Sequence, residues 1–297
     1  GEGAGLAQVT QRVLGRPLGR LVLLLCLGWG LLLLAANARL FSLRFLSTSY
    51  SNSPAGLFLA VLLALALWLA WKPVRVLARA GEIFRLALAV GLAFSLALGA
   101  FQIEPRHVLP IWTEDVPGLL SAALPVLGLL GYGLFAAFLG GNVTRTGNDR
   151  RRLLVWGMVF CLVLTALQLV CQGNFGPTLT ARADTPFFLM VKGIGIEGTF
   201  QRVESLIIAL WVFSDLALLA LLASSCAALA QAVFSLKERR HAAVPVAGLA
   251  LAGAWLLFPD AFSLDRWMEN VVWPGNLLLG FGLPVLLLLV KKLRGQV

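Results

Sequence analysis

Long apolar runs separated by short polar connectors dominate the chain. A helix rising about 1.5 Å per residue crosses the roughly 30 Å hydrocarbon core of a bilayer in about 20 residues. Eight runs meet that requirement, at about 19–46, 55–71, 84–103, 118–142, 153–172, 203–235, 242–258 and 275–290. The expected fold class is all-α, a polytopic transmembrane helix bundle of eight spans forming a single domain over residues 1–297. The first and sixth runs exceed one perpendicular crossing, so they must tilt or project. In the first, Arg39 and Arg44 stand where their stems can snorkel to headgroups. Between the second and third, Lys72 to Arg85 is a basic connector with Arg75 and Arg79 on one helical face. It is either a short helix lying on an anionic leaflet or an ordinary loop.

Composition sharpens this picture. Of 297 residues, 59% are apolar and 13% charged, and the mean hydropathy of +0.88 excludes a soluble enzyme, a secreted disulfide scaffold and a disordered tail. The net charge of +10 would suggest nucleic acid on a soluble protein, but no stripe of aromatics interleaves with arginine to stack bases. Instead 17 of the 24 Lys and Arg residues fall in alternate connectors, which assigns both termini to the cytoplasm. The first apolar run is far longer than a signal-peptide core, and no small-residue cleavage site follows it. Gly1 stands where a methionine would begin a complete chain, so upstream sequence is expected. Cys26, Cys161, Cys171 and Cys226 lie in or beside apolar runs without a CxxC pair and read as small packing residues.

Irregular backbone at membrane depth must be buried in protein or line a cavity, so breaks inside spans point to sites. The fourth span has the strongest break, with Pro125, Gly128, Gly131, Tyr132 and Gly133 in one apolar run. Two readings stand. Either the helix unwinds, so that freed N–H groups and the Tyr132 hydroxyl hold a carboxylate, or the glycines serve close helix packing. The sixth span carries Asp215, an acid deep in an apolar helix, roughly 18 Å along the axis from Val203. It is a candidate for a cation, a proton or a substrate amine, or it is a neutral hydrogen bonder to a neighbouring helix. Glu204, Trp211, Asp215 and Cys226 share one face of that helix.

Pro186 to Gln201, punctuated by Gly193, Gly195 and Gly198, is a lid, a re-entrant segment or an interfacial loop. Asn37, Gln168, Gln172 and Asn174 are expected interhelical hydrogen bonders. His107 and His241 fall in loops without clustered ligands, so no metal or other cofactor is expected. Glu104, Glu114 and Asp115 read as a solvated outer face, and no GxSxG, P-loop or HExxH motif suggests an enzyme.

At the sixth span, Phe200-Gln201-Arg202-Val203-Glu204 followed by Trp211-Val212 resembles the R-x-E and W-V signature of the endospore germination permeases, the B subunits of nutrient germinant receptors. Gly15-Arg16-Pro17-Leu18-Gly19-Arg20, Gly81-Glu82-Ile83-Phe84, Pro186, Phe258-Pro259 and Leu283-Pro284 through Lys291-Lys292 fit the same pattern, along nearly the whole chain. The resemblance implies an amino acid/polyamine/organocation transporter fold of ten helices in two inverted halves. The eight spans here then look like helices three to ten, with two crossings missing at the front. It further implies a spore membrane subunit that senses a small nutrient such as an amino acid, alongside a larger membrane subunit and a lipoprotein. The substrate-binding candidates from the broken fourth span and the sixth-span face are Gly128, Gly131, Tyr132, Gly133, Trp211 and Asp215, with Arg202, Glu204 and Pro186 as gating or structural residues. Many relatives carry a lysine shortly after the Trp, where this chain has Asp215 and Leu218, so their ligand chemistry does not carry over. A cation-coupled permease and a non-binding membrane scaffold are the alternatives.

Overall fold

The computed structural model describes residues 5–48, 54–108, 116–142, 147–183, 185–193 and 203–294. Among these the chain is all-α, without strands. The helices are α1 (Leu6–Leu14), α2 (Arg16–Thr48), α3 (Ala55–Trp71), α4 (Val74–Ala100), α5 (Val116–Leu130), α6 (Gly133–Phe138), α7 (Asp149–Arg182) and α8 (Pro186–Gly193). They continue with α9 (Val203–Phe234), α10 (Arg240–Leu256), α11 (Ala261–Trp267), α12 (Trp273–Leu277) and α13 (Leu283–Leu293). Each of the eight expected runs falls on a helix. Six helical runs among the described residues are long and apolar enough to cross a membrane, while α3 and α10 are shorter, at 17 residues each.

Several expectations change in detail. The basic connector from Lys72 is neither loop nor separate surface helix, because α4 begins at Val74 and runs unbroken through Arg75, Arg79 and Arg85. His241 lies in the first turn of α10 rather than in a loop. The fifth span is longer than expected, and α7 is interrupted at Gly176, whose φ of 75° with Pro177 following ends regular helix there. The eighth span is the C-terminal part of one run from Ala261 to Leu293, in which π-turns at Met268–Val272 and Leu278–Gly282 flank α12. Part of the Pro186 to Gln201 stretch is α8, and residues 194–202 lie outside the described residues.

The chain divides into two compact units. The first comprises Gly1–Gly81, Leu119–Thr144 and Asp215–Val297. In it α2 and the Asp215–Phe234 part of α9 run antiparallel. Arg20 reaches Ser235 at 3.2 Å, Gly30 lies against Cys226, and Arg44 meets Asp215. A Cβ at Gly30 would come within 2.7 Å of Cys226 Sγ and of the Phe135 ring, so a hydrogen there lets α2, α6 and α9 close on one another. Leu23, Leu33, Leu34, Leu59, Leu219 and Leu222 fill the core between them. Helix α10 packs antiparallel to α3, with Gly56 at Trp255 and Arg239 at the other end donating to the Ala70 and Lys72 carbonyls. The amphipathic α1 turns into α2 through Gly15, at φ 86°, and Arg294 ties its end by donating to the Val13 carbonyl at 2.7 Å.

The second unit comprises Glu82–Gly118 and Arg145–Ser214. Its core is Val170, Cys171, Phe188, Met190, Val191 and Leu210. Gly99 of α4 sits against Val170 and Met190, and Asn174 donates to the Gly99 and Val170 carbonyls at 3.0 and 2.7 Å, which joins α4 to α7. His107, on a 3₁₀ turn, meets the Gly173 carbonyl at 3.0 Å beside the Gly176 break. Three of the four cysteines are buried as expected, but Cys161 lies on an exposed face of α7.

Candidate functional site

The fourth span is broken where its glycines cluster. Helix α5 ends at Leu130, Gly131 and Tyr132 form a turn, and α6 begins at Gly133. The turn is tight rather than unwound. Gly131 N–H bonds the Gly128 carbonyl at 3.1 Å and Tyr132 N–H the Leu129 carbonyl at 3.3 Å, which is 3₁₀ pairing, and Tyr132 keeps helical angles. Those two N–H groups are therefore spent on the chain itself and are not offered to a carboxylate.

The glycines instead allow close approach to the last span. A Cβ at Gly131 would lie 2.4 Å from the Asn276 carbonyl oxygen, one at Gly128 3.0 Å from Trp273, and one at Gly280 2.5 Å from Gly131 Cα. Gly133 has open space around it. Of the two readings of this cluster, close packing describes Gly128 and Gly131.

Tyr132 carries the polar function at the break. Its hydroxyl accepts from Asn37 Nδ2 at 2.9 Å and is hydrogen-bonded to the Asn276 side chain. Asn37 Nδ2 also donates to the Leu33 carbonyl at 2.7 Å, and Trp29 Nε1 donates to Asn276 Oδ1 at 3.0 Å. Asn37 and Asn276 are buried, so Trp29, Asn276, Tyr132 and Asn37 form a connected polar chain inside an apolar bundle. Two π-turns bracket Asn276, and an inserted residue in a helix re-aims the side chains around it.

Asp215 is 3% exposed, and Arg44 Nη1 stands 3.4 Å from its Oδ1. Its Oδ2 is buried with no hydrogen-bond partner among the described residues. Arg44, about a quarter exposed, also lies over the Phe41 ring at 5.3 Å. Asn37 and Arg44 are seven residues apart on α2, hence on nearly one face and about 10 Å apart along the axis. The same face of α2 thus holds both Tyr132 and Asp215.

The remaining sequence candidates lie elsewhere. In the second unit Trp211 packs on Phe188, ring centres 5.3 Å apart, and Pro186 opens α8 two residues before that phenylalanine. Arg202 and the side chain of Glu204 lie outside the described residues. Sequence reasoning passed over Asn276 and Trp29, although an asparagine between Pro274-Gly275 and an apolar run was a visible signal. Arg39 and Arg44, expected at headgroups, both turn into protein: Arg39 is buried and donates to the Phe258 and Pro259 carbonyls at 3.0 and 2.7 Å, near the C-terminal end of α10.

Apolar helices of crossing length, buried ion-paired groups and interhelical asparagines define a multi-pass α-helical membrane protein. The profile of the spore permease family, described as spore germination protein, matches residues 2–257, and the chain belongs to that family. It is also 24% identical over 199 residues to a provisionally named spore germination protein, YfkT, of Bacillus subtilis (strain 168). That match covers 65% of this chain and 53% of YfkT, so the chain spans about half the length of the curated relative it matches.

Proposed function

We propose that the chain acts as the membrane subunit of a spore germinant receptor and senses a small nutrient such as an amino acid. The observation that carries this reading is the enclosed Asp215–Arg44 pair, with a carboxylate oxygen that lacks a partner. An α-amino acid presents the same two charges in reverse. Its ammonium suits Asp215 Oδ2 and its carboxylate suits Arg44, so binding exchanges one internal ion pair for two to the ligand. Tyr132, held by Asn37 of the same α2 face, adds a hydroxyl at the neighbouring level. Loss of the internal pair would loosen α2 from α9, and the receptor reads that bias as a change of conformational population. Gly128, Gly131, Gly133 and Trp211 are candidates from the break in the fourth span and the shared face of the sixth, and Pro186, Arg202 and Glu204 from the family resemblance.

On this reading the protein sits in the spore's inner membrane with both termini cytoplasmic, beside a larger membrane subunit and a lipoprotein, and catalyses nothing. Labelled amino acids titrated onto the protein in nanodiscs should bind saturably, with no flux in proteoliposomes. Asp215→Asn should weaken binding at least about tenfold, the value of a lost charge-assisted bond. Flux that collapses in Asp215→Asn would identify a permease instead, and neither binding nor flux would leave a scaffold.

A further inference from the structure

Arg239 closes the end of α3. Its Nη2 donates to the Ala70 carbonyl at 3.2 Å and to the Lys72 carbonyl at 2.6 Å, while its Nη1 is buried without a partner among the described residues. No acidic side chain among the described residues pairs with Arg239 or with Lys72; Glu238 is taken by Arg240. Burial lowers the Arg239 pKa, as expected of a cation lacking a counter-charge. Arg75 and Arg79, both exposed, follow within two turns. Lys72, Arg75 and Arg79 thus fall within eight residues of chain at the end of α3 that Arg239 ties down.

Next to this corner runs a shallow, open apolar groove of about 480 Å³ along Val61, Ala64, Leu65 and Trp68. These residues repeat at helical spacing along one face of α3, and Lys72 continues the same stripe by one turn. Lys72 Nζ folds back over the Trp68 ring at 5.3 Å, so the ammonium sits at the mouth of the groove. Trp68 and Val61 are about half exposed, which leaves the groove open toward the bilayer.

We propose that this corner is a binding site for an anionic phospholipid. The phosphate would be held by the exposed Lys72 and Arg75 side chains, with one acyl chain lying along Val61, Ala64, Leu65 and Trp68, while Arg239 fixes the end of α3 behind them. An apolar groove ending in uncompensated cations fits a molecule that is apolar for most of its length and anionic at one end. A soluble anion would use only the cations, and a second helix would leave the positive charge unmatched. The Lys and Arg distribution assigns this end to the cytoplasmic side, where the leaflet carries anionic lipid. The site lies on a different face from the Asp215 pair and does not depend on nutrient binding.

Native mass spectrometry of the purified protein, given phosphatidylglycerol and phosphatidylcholine in equal amounts, tests it. The wild type should retain phosphatidylglycerol, with occupancy about fivefold above phosphatidylcholine for each cation engaged. Lys72→Gln should lose about that factor, Lys72→Arg should keep it, and Leu65→Trp, which fills the groove, should lose both lipids while the cations remain. Thermal melting then separates folding from binding, because phosphatidylglycerol should raise the Tm of the wild type and of Lys72→Arg alike, that of Lys72→Gln less, and that of Leu65→Trp not at all. Equal retention of both lipids by the wild type, unchanged selectivity in Lys72→Gln, equal stabilisation by inorganic phosphate alone, or a dimer that buries Trp68 and excludes lipid would each overturn the proposal.

Discussion

A carboxylate in the lipid-spanning part of a protein is costly unless its charge is matched, and Asp215 is matched on one oxygen only. Replacing it with alanine removes the carboxylate facing Arg44. Truncating one partner of a fully buried pair costs roughly 3–5 kcal/mol and of a surface pair at most about 1 kcal/mol. With Arg44 a quarter exposed, a loss of about 2 kcal/mol is expected for Asp215→Ala, measured by thermal or denaturant unfolding in detergent. Adding Arg44→Met should recover much of it, and strictly additive losses would show that the pair is not coupled. Tyr132→Phe removes an acceptor for Asn37, which keeps the Leu33 carbonyl, so about 1 kcal/mol is expected. Asp215 and Tyr132 were readable as candidates because a lone acid and a lone tyrosine interrupt apolar runs. Asn37 was readable as an interhelical hydrogen bonder, but Arg44 was not readable as the partner of Asp215, since an arginine near a helix end is as compatible with headgroups as with a buried acid.

At the scale of elements, the glycines of the fourth span separate two physical roles that spacing alone leaves merged. Gly131→Ala would drive a methyl into the Asn276 backbone, so a loss of at least about 2 kcal/mol is expected. Gly128→Ala, at 3.0 Å from Trp273, should cost less. Gly133→Ala meets nothing and should be neutral or stabilise by up to about 1 kcal/mol through helix propensity. Ranking the three variants by melting temperature checks this, and a costly Gly133→Ala would point to a ligand or partner at that position. Helix positions followed from apolar run length, which is why all eight runs landed on helices. The two π-turns did not, because a π-turn inserts a residue without any residue type that demands it, whereas the break at Gly176 carries a Gly-Pro signal.

For the molecule as a whole, the bias of basic residues predicts which loops face which side. Lys237→Cys should react with a membrane-impermeant thiol reagent only after cells are permeabilised, and Arg106→Cys should react in intact cells. The reverse pattern would invert the orientation. Composition and run length alone establish an all-helical membrane protein, since 59% apolar residues in bilayer-length runs have no other stable arrangement. Motif order points to the spore germination family in the same way. Tertiary structure decided what the polar residues in those runs do: it turned Arg39 and Arg44 inward, linked Trp29, Asn276, Tyr132 and Asn37, and spent the Gly131 and Tyr132 amides on the chain. The physical reason is that in lipid every polar group must find a partner within the protein, and which partner is in reach depends on how helices far apart in sequence are juxtaposed.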